Sequence, residues 1–141
     1  MLDKTDARNK ESSEEALGPA SPFYPIAQER LILETRRCVA FFDTSPVSKG
    51  HTLVIEKTVT AGLFDLPVDV QTELWEAVMR AREILMERFH PDGFNIGLND
   101  GAAAGQTVAH AHIHIIPRYL HDVPDPRGEI RWILPAKARY W

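Results

Sequence analysis

The sequence predicts an α+β domain of five short strands and one long helix, on three observations. Between Pro67 and Phe89 apolar residues recur every three or four positions, the period of an amphipathic helix. On either side of that stretch they come in short runs bounded by turn formers, as strands do. Near the C-terminal end, His110-Ala-His112-Ile-His114-Ile-Ile alternates His with apolar residues. In a strand that alternation sends Ala111, Ile113 and Ile115 to one face and three imidazoles to the other.

Taken in order, residues 1–20 hold five acidic and three basic residues, a Gly-Pro pair and almost nothing apolar. They cannot offset the entropy of ordering and are expected to form a flexible tail, leaving 21–141 as the folded domain. Strands are expected at Leu31 to Glu34, at Cys38 to Asp43 after the Arg36-Arg37 turn, and at His51 to Glu56 after Pro46 and Gly50. The helix presents Val70, Leu74, Val78, Ala81, Leu85 and Phe89 along one stripe, with Pro67 in its first turn. His90-Pro91-Asp92-Gly93 should stop it, Gly93 supplying the residue free to take positive φ. Phe94 to Leu98 and Ala111 to Pro117 read as the last two strands. The linker 99–107 between them is rich in Gly and Ala. Its small residues would let an anion approach backbone N–H groups, or would simply make a turn.

Composition narrows the function. A net charge of -4, with 26% charged and 44% hydrophobic residues, gives no electrostatic footprint for nucleic acid. The one cysteine, Cys38, lies among Val39, Ala40, Phe41 and Phe42, which excludes an intramolecular disulfide and points to a buried apolar role in a reducing, cytoplasmic compartment. No apolar run approaches the roughly 18 residues of a membrane span, and the N-terminus has no signal-like apolar core. No membrane partner is expected.

Three imidazoles in a row suit a metal or phosphorus chemistry. His-x-His on a strand can offer two ligands to zinc, but a catalytic site needs a third and a structural site a fourth, and no Cys pair is present to complete it. Imidazole can also act as nucleophile, base or hydrogen-bond donor near neutral pH. No Gly-x-Ser-x-Gly or Walker-type loop competes with that reading.

The run Gly105-Gln106-Thr107-Val108-Ala109-His110-Ala111-His112-Ile113-His114-Ile115-Ile116 resembles the signature of the histidine triad, or HIT, family of nucleotide hydrolases and transferases. Phe41-Phe42-Asp43, Pro46 and Gly50-His51-Thr52-Leu53-Val54-Ile55 resemble an earlier block of that family, and Asn99-Asp100-Gly101 another, so the likeness covers about residues 21 to 141. It implies a HIT-like fold, a five-stranded antiparallel sheet with one long helix, in a homodimer formed through that helix and the adjoining strand. It also implies that His112 attacks the α-phosphorus of a nucleotide to form a nucleotidyl-histidine. His110 would orient His112 through its backbone carbonyl, and His114 would donate to a phosphate oxygen or assist the leaving group. His51 would close the cluster. Gly105, Gln106 and Thr107 would donate to phosphate, Asn99 would contact sugar or phosphate, and Asp43 would accept from the ribose hydroxyls. Phe41 and Ile26 would sandwich the base, with Phe23 as a further candidate. Read without the resemblance, Asp43 is a turn former and Phe41 a core residue.

One departure concerns metal. Many members carry Cys-x-x-Cys near the start, binding zinc with histidines at the positions of His51 and His110, whereas this chain has Ser21-Pro22-Phe23-Tyr24 there. No tightly bound metal is expected, Mg2+ entering only with substrate phosphates, and the segment should be held by packing of Phe23, Tyr24 and Ile26. Residues 118–141 form a basic, aromatic extension with Arg127, Arg131 and Lys137 available for a long polyphosphate. The expected function is hydrolysis at the α-phosphate of adenine nucleotides, above all dinucleoside polyphosphates. The alternatives are a Hint-type nucleoside phosphoramidase, a dinucleoside polyphosphate phosphorylase or nucleotidyltransferase, and a nucleotide-binding regulatory module without turnover.

Overall fold

Strand β1 (Leu31–Glu34), β2 (Cys38–Phe42), β3 (Thr52–Glu56), β4 (Gly93–Gly97) and β5 (His112–Arg118) form one sheet in the order β1-β2-β3-β5-β4, every neighbouring pair antiparallel. A single long helix, α1 (Val68–Phe89), covers one side. These come from a computed structural model that describes residues 21–141. The expected tail, 1–20, lies outside the described residues.

Residues paired across antiparallel strands share a face, so the register sorts the sheet into two surfaces. Cys38, Ala40, Val54, Ile113 and Ile115 pack with Leu74, Ala77, Val78, Ala81 and Leu85 of α1 into the main core. Leu74 and Leu85 are fully buried, each contributing about 1.5–3 kcal/mol by leaving water. On the opposite face Phe41 pairs with Leu53 and Leu53 with His114, while Val39 pairs with Ile55 and Ile55 with His112. Histidines therefore share a surface with a second apolar cluster of Val39, Phe41, Leu53 and Ile55, over which Phe23, Ile26 and Leu31 pack.

Element ends differ from the sequence reading for local reasons. β2 stops at Phe42 because Asp43 turns the chain, its Oδ1 accepting from Ser45 N–H at 3.0 Å. α1 begins at Val68, with Pro67 as its extended N-cap. It ends with His90 in the left-handed conformation (φ 49°, ψ 49°), the His90 N–H donating to Met86 O. Gly93 does not supply that positive φ; it is already in β4. The cause is Pro91, which disfavours helical geometry in the residue before it. Gly50 has φ 89° and comes so close to Phe89 that an added Cβ would lie 2.9 Å from the ring. Only glycine lets the turn before β3 close against the helix end.

The C-terminal extension folds back on itself and onto the histidine face of the sheet. Arg118 forms a two-bond pair with Asp122 (2.7 and 2.8 Å), Tyr119 Oη donates to Lys49 O at 2.8 Å, and Ala138 is fully buried. Arg127 pairs with Asp125 and stacks on Trp141, while Arg131 donates to Ala138 O and Lys137 O. Two of the cations expected to meet polyphosphate are thus engaged within the extension. Among the described residues, no helix is long and apolar enough to cross a membrane.

Candidate active site

The alternation of β5 places Ile113, Ile115 and Pro117 in the core and leaves His112, His114, Ile116 and Arg118 partly exposed on the other face. His110 does not join that open row. It precedes the strand, is 1% exposed, and has both ring nitrogens engaged. Its contribution to the open site is its carbonyl, which receives His112 Nδ1 at 2.8 Å.

Hydrogen-bond partners of fixed polarity assign the tautomer of each ring. A carbonyl only accepts, so His112 carries its proton on Nδ1 and presents Nε2 with a free lone pair. Glu56 O likewise accepts from His110 Nε2 at 2.7 Å, leaving His110 Nδ1 to accept from Ser21 Oγ at 2.5 Å. On the other side of the site, Val47 N–H donates to His51 Nδ1 at 3.2 Å, so neutral His51 carries its proton on Nε2. That proton goes to His114 Nδ1, 2.9 Å away. His114 is then protonated on Nε2. The rings present a lone pair on His112 and, from the relay Val47 to His51 to His114, a donor on His114.

Electrostatics keep that arrangement neutral. Burial lowers the pKa of His51, partly offset by Asp43, and burial also lowers His110. His114 is pushed down to about 4, first by burial and then by His112 and His51, with Asp43 acting the other way. A neutral His114 donates a hydrogen bond to an anion without a full positive charge.

The base side of this face differs from the sequence reading. Phe41 is 0% exposed, lying under Phe23 at a ring-centroid distance of 5.6 Å and under the Arg30 guanidinium at 5.3 Å. It forms a floor and has no surface for a base to touch. Phe23 and Ile26 are the half-buried residues above it, and the Phe23 ring meets His112 edge-on at 5.2 Å. Asp43 is partly exposed, with Oδ1 used on the turn and Oδ2 3.7 Å from His51 Nε2. The turn-former reading of Asp43 is met by Oδ1, and Oδ2 is the oxygen left toward the histidines.

Asn99 is exposed two residues beyond Gly97, which pairs with His114. In the following loop Gly105 and Thr107 are exposed, Gly105 in the left-handed region at φ 87°. Gln106 is spent internally: Nε2 donates to Ala61 O and Val108 O, Oε1 accepts from Gly101 N–H, and its own N–H goes to Gly101 O. It braces the loop and has no free donor for phosphate. Sequence reasoning also missed Ser21 and Val47, whose roles depend on chain segments far from the histidine strand; the Ser at the place of the expected thiolate was the available signal for Ser21.

The structural zinc that the sequence resemblance implies for many relatives does not fit these residues. Ser21 supplies a hydroxyl already bonded to His110, Tyr24 is exposed, and His51 faces Val47 and His114 instead of His110. Ser21 therefore anchors the segment that was expected to hold by packing alone. A different trio, Asp43, His51 and His114, brings ligand atoms within 4.8 Å of one another. A cation there would have to displace the proton that His51 shares with His114.

Comparison with known proteins shows what the chain is similar to. A bis(5'-adenosyl)-triphosphatase of Dictyostelium discoideum is 38% identical over 69% of this chain and 65% of its own. An asymmetrical bis(5'-nucleosyl)-tetraphosphatase of Schizosaccharomyces pombe is 36% identical over 70% of this chain and 54% of its own. The chain thus spans less than two thirds of either relative's length. The crystal structure of a HIT family protein from Bacillus anthracis superposes with a TM-score of 0.61 at 40% identity, over 63% of each chain. The HIT domain model matches residues 26–121, which hold all five strands, the helix and every histidine described above, and the chain belongs to the HIT family.

Proposed function

We propose that this protein is a hydrolase acting at the α-phosphate of adenine nucleotides, dinucleoside polyphosphates first, through a nucleotidyl intermediate on His112. The observation that carries the reading is the His112 Nδ1–H held by His110 O, which fixes a lone pair on the open-face nitrogen. In the first step that lone pair attacks the α-phosphorus. The bond to the bridging oxygen breaks and its electron pair leaves with the departing phosphate. His112 then carries the adenylyl group on Nε2 and a positive charge, its Nδ1–H still on His110 O. Water attacks the same phosphorus in the second step, returning the electron pair to Nε2 and releasing AMP and a proton.

His114 Nε2–H is suited to donate to a non-bridging oxygen, where charge grows in both steps. Gly105, Thr107 and Asn99 border the phosphates, Asp43 Oδ2 accepts from the ribose, and Phe23 and Ile26 flank the base above Phe41. Mg2+ arrives with a polyphosphate, and no metal held by the protein takes part. The names of the two curated relatives, a triphosphatase and a tetraphosphatase of dinucleosides, support the substrate class. We further propose a homodimer through α1 and β4. Val68, Trp75, Met79 and Met86 form a second, exposed apolar stripe on the helix, and β4 ends the sheet with one edge unpaired among the described strands. Buried, unpaired Cys38 suits the reducing cytoplasm.

His112→Asn tests the reading. Asn keeps a polar group but cannot attack phosphorus, so kcat should fall more than about 1000-fold, roughly 4 kcal/mol of barrier, while nucleotide binding persists. Activity within tenfold of the native protein would remove His112 as nucleophile.

A further inference from the structure

The carbonyl that fixes the His112 lone pair belongs to a residue outside the sheet. Pairing between β3 and β5 ends at Ile55 with His112, so His110 is held by bonds other than those of the ladder. Its peptide donates through Ala111 N–H to Thr60 O at 2.8 Å, and its ring donates through Nε2 to Glu56 O at 2.7 Å. Both acceptors lie at or just beyond the end of β3. The anchor from elsewhere in the chain is Ser21 Oγ, which meets His110 Nδ1 at 2.5 Å across 89 residues of sequence. Ser21 is 5% exposed and His110 1% exposed, so the bond is made away from water.

The same oxygen makes a second bond. Phe23 N–H donates to Ser21 Oγ at 3.2 Å, and Tyr24 N–H closes the turn onto Ser21 O at 3.1 Å. The ring this turn carries, Phe23, lies 5.6 Å from His110, 5.2 Å from His112 and 5.6 Å from Phe41, centroid to centroid. One buried hydroxyl thus joins the turn that bears Phe23 to the residue whose carbonyl holds His112. Its polarity matters as well. A hydroxyl donating to Nδ1 favours the uncharged His110 ring, as burial does. A cationic His110 would oppose the positive charge that His112 takes on when its Nε2 bonds to phosphorus.

We propose that Ser21 is a positioning residue for the chemical step: its hydroxyl sets the place and tautomer of His112 through His110, and through Phe23 it aligns the nucleoside base with the attacking nitrogen. This rests on the reading of His112 as nucleophile. Displacing an attacking atom by about 1 Å can cost on the order of 100-fold in rate without removing a contact to the nucleotide. The signature is therefore a loss of rate, with little loss of affinity.

The test compares the native chain with Ser21→Ala and with Ser21→Cys, which nearly keeps the size but offers only a weak S–H donor. Single-turnover rapid quench at saturating diadenosine tetraphosphate reads the rate of adenylyl transfer, and calorimetry reads the affinity for AMP. Ser21→Ala should slow adenylyl transfer by about tenfold or more while AMP affinity changes by less than about threefold, with Ser21→Cys between it and the native chain. Spectra of 15N-labelled histidine, recorded without substrate, should show His112 as one Nδ1–H tautomer in the native chain and as a mixture of tautomers in Ser21→Ala. Should Ser21→Ala fail to fold, Ser21→Cys carries both comparisons. A His112 spectrum identical in every folded variant overturns the proposal, as does an unchanged saturated rate in a variant whose only loss is thermal stability. A tautomer shift in the variants alongside a native chain that forms no adduct on His112 overturns the nucleophile reading and leaves the positioning of His112 by Ser21 standing.

Discussion

His114 titrates near 4 in the folded chain and near 6.5 once unfolded, so acid should weaken this fold through that ring. Between those two values the unfolded chain holds a proton that the folded chain refuses, and protonation pulls the equilibrium toward unfolding. The contribution is fully present above pH 6.5, declines as the pH falls, and is exhausted below about 4. A shift from 6.5 to about 4 is worth at most about 3 kcal/mol, and solvent screening of this partly exposed ring trims it toward about 2 kcal/mol. Burial shifts His51 and His110 the same way, while it raises Glu56, whose effect has the opposite sign. The comparison to make is therefore the native chain against His114→Gln, by urea unfolding at pH 7.5, 6.5, 5.5 and 4.5. The stability difference between the two should shrink by about 2 kcal/mol across that series. A difference that stays constant, or grows toward acid, would refute a neutral, desolvated His114.

The other predictions concern the ribose, the metal and the intermediate. Asp43→Ala should weaken adenine ribonucleotides by about 1–3 kcal/mol and leave binding of the 2′,3′-dideoxy analogue unchanged; equal losses for both sugars would reduce Asp43 to its turn bond with Ser45. Chelator treatment followed by elemental analysis should leave activity intact with no zinc retained, because Ser21 takes the partner role on His110. Ser21→Ala should accordingly cost about 1–3 kcal/mol in thermal unfolding by stranding a buried ring nitrogen, and one essential zinc per chain would reverse this.

What the sequence disclosed, and what it did not, follows from the range of each signal. Periodicity is local, so β5 and α1 were legible from their own residues, and the bond from His112 to the His110 carbonyl joins residues two apart. Phe41 and Phe23 could not be ranked the same way. Which aromatic is the floor and which the wall depends on how the segment before β1 crosses the sheet. Counting charges in the extension found five basic residues but could not see that Asp125 and two backbone carbonyls already hold Arg127 and Arg131. The helix stop was placed correctly, but its left-handed residue is His90, set by Pro91, where glycine preference alone favoured Gly93. The relay from Val47 to His51 to His114 spans three segments and was legible only in its histidines.

The most direct measurement is rapid quench of the native protein with excess diadenosine tetraphosphate labelled in the adenosine, followed by intact mass and peptide mapping. A transient adduct of one adenylyl group on His112, formed and lost at rates consistent with turnover and absent from His112→Asn, is the result expected. Steady turnover with no adduct at any time, or an adduct on His114 or His51, would contradict the assignment of the free lone pair on His112 as the attacking group.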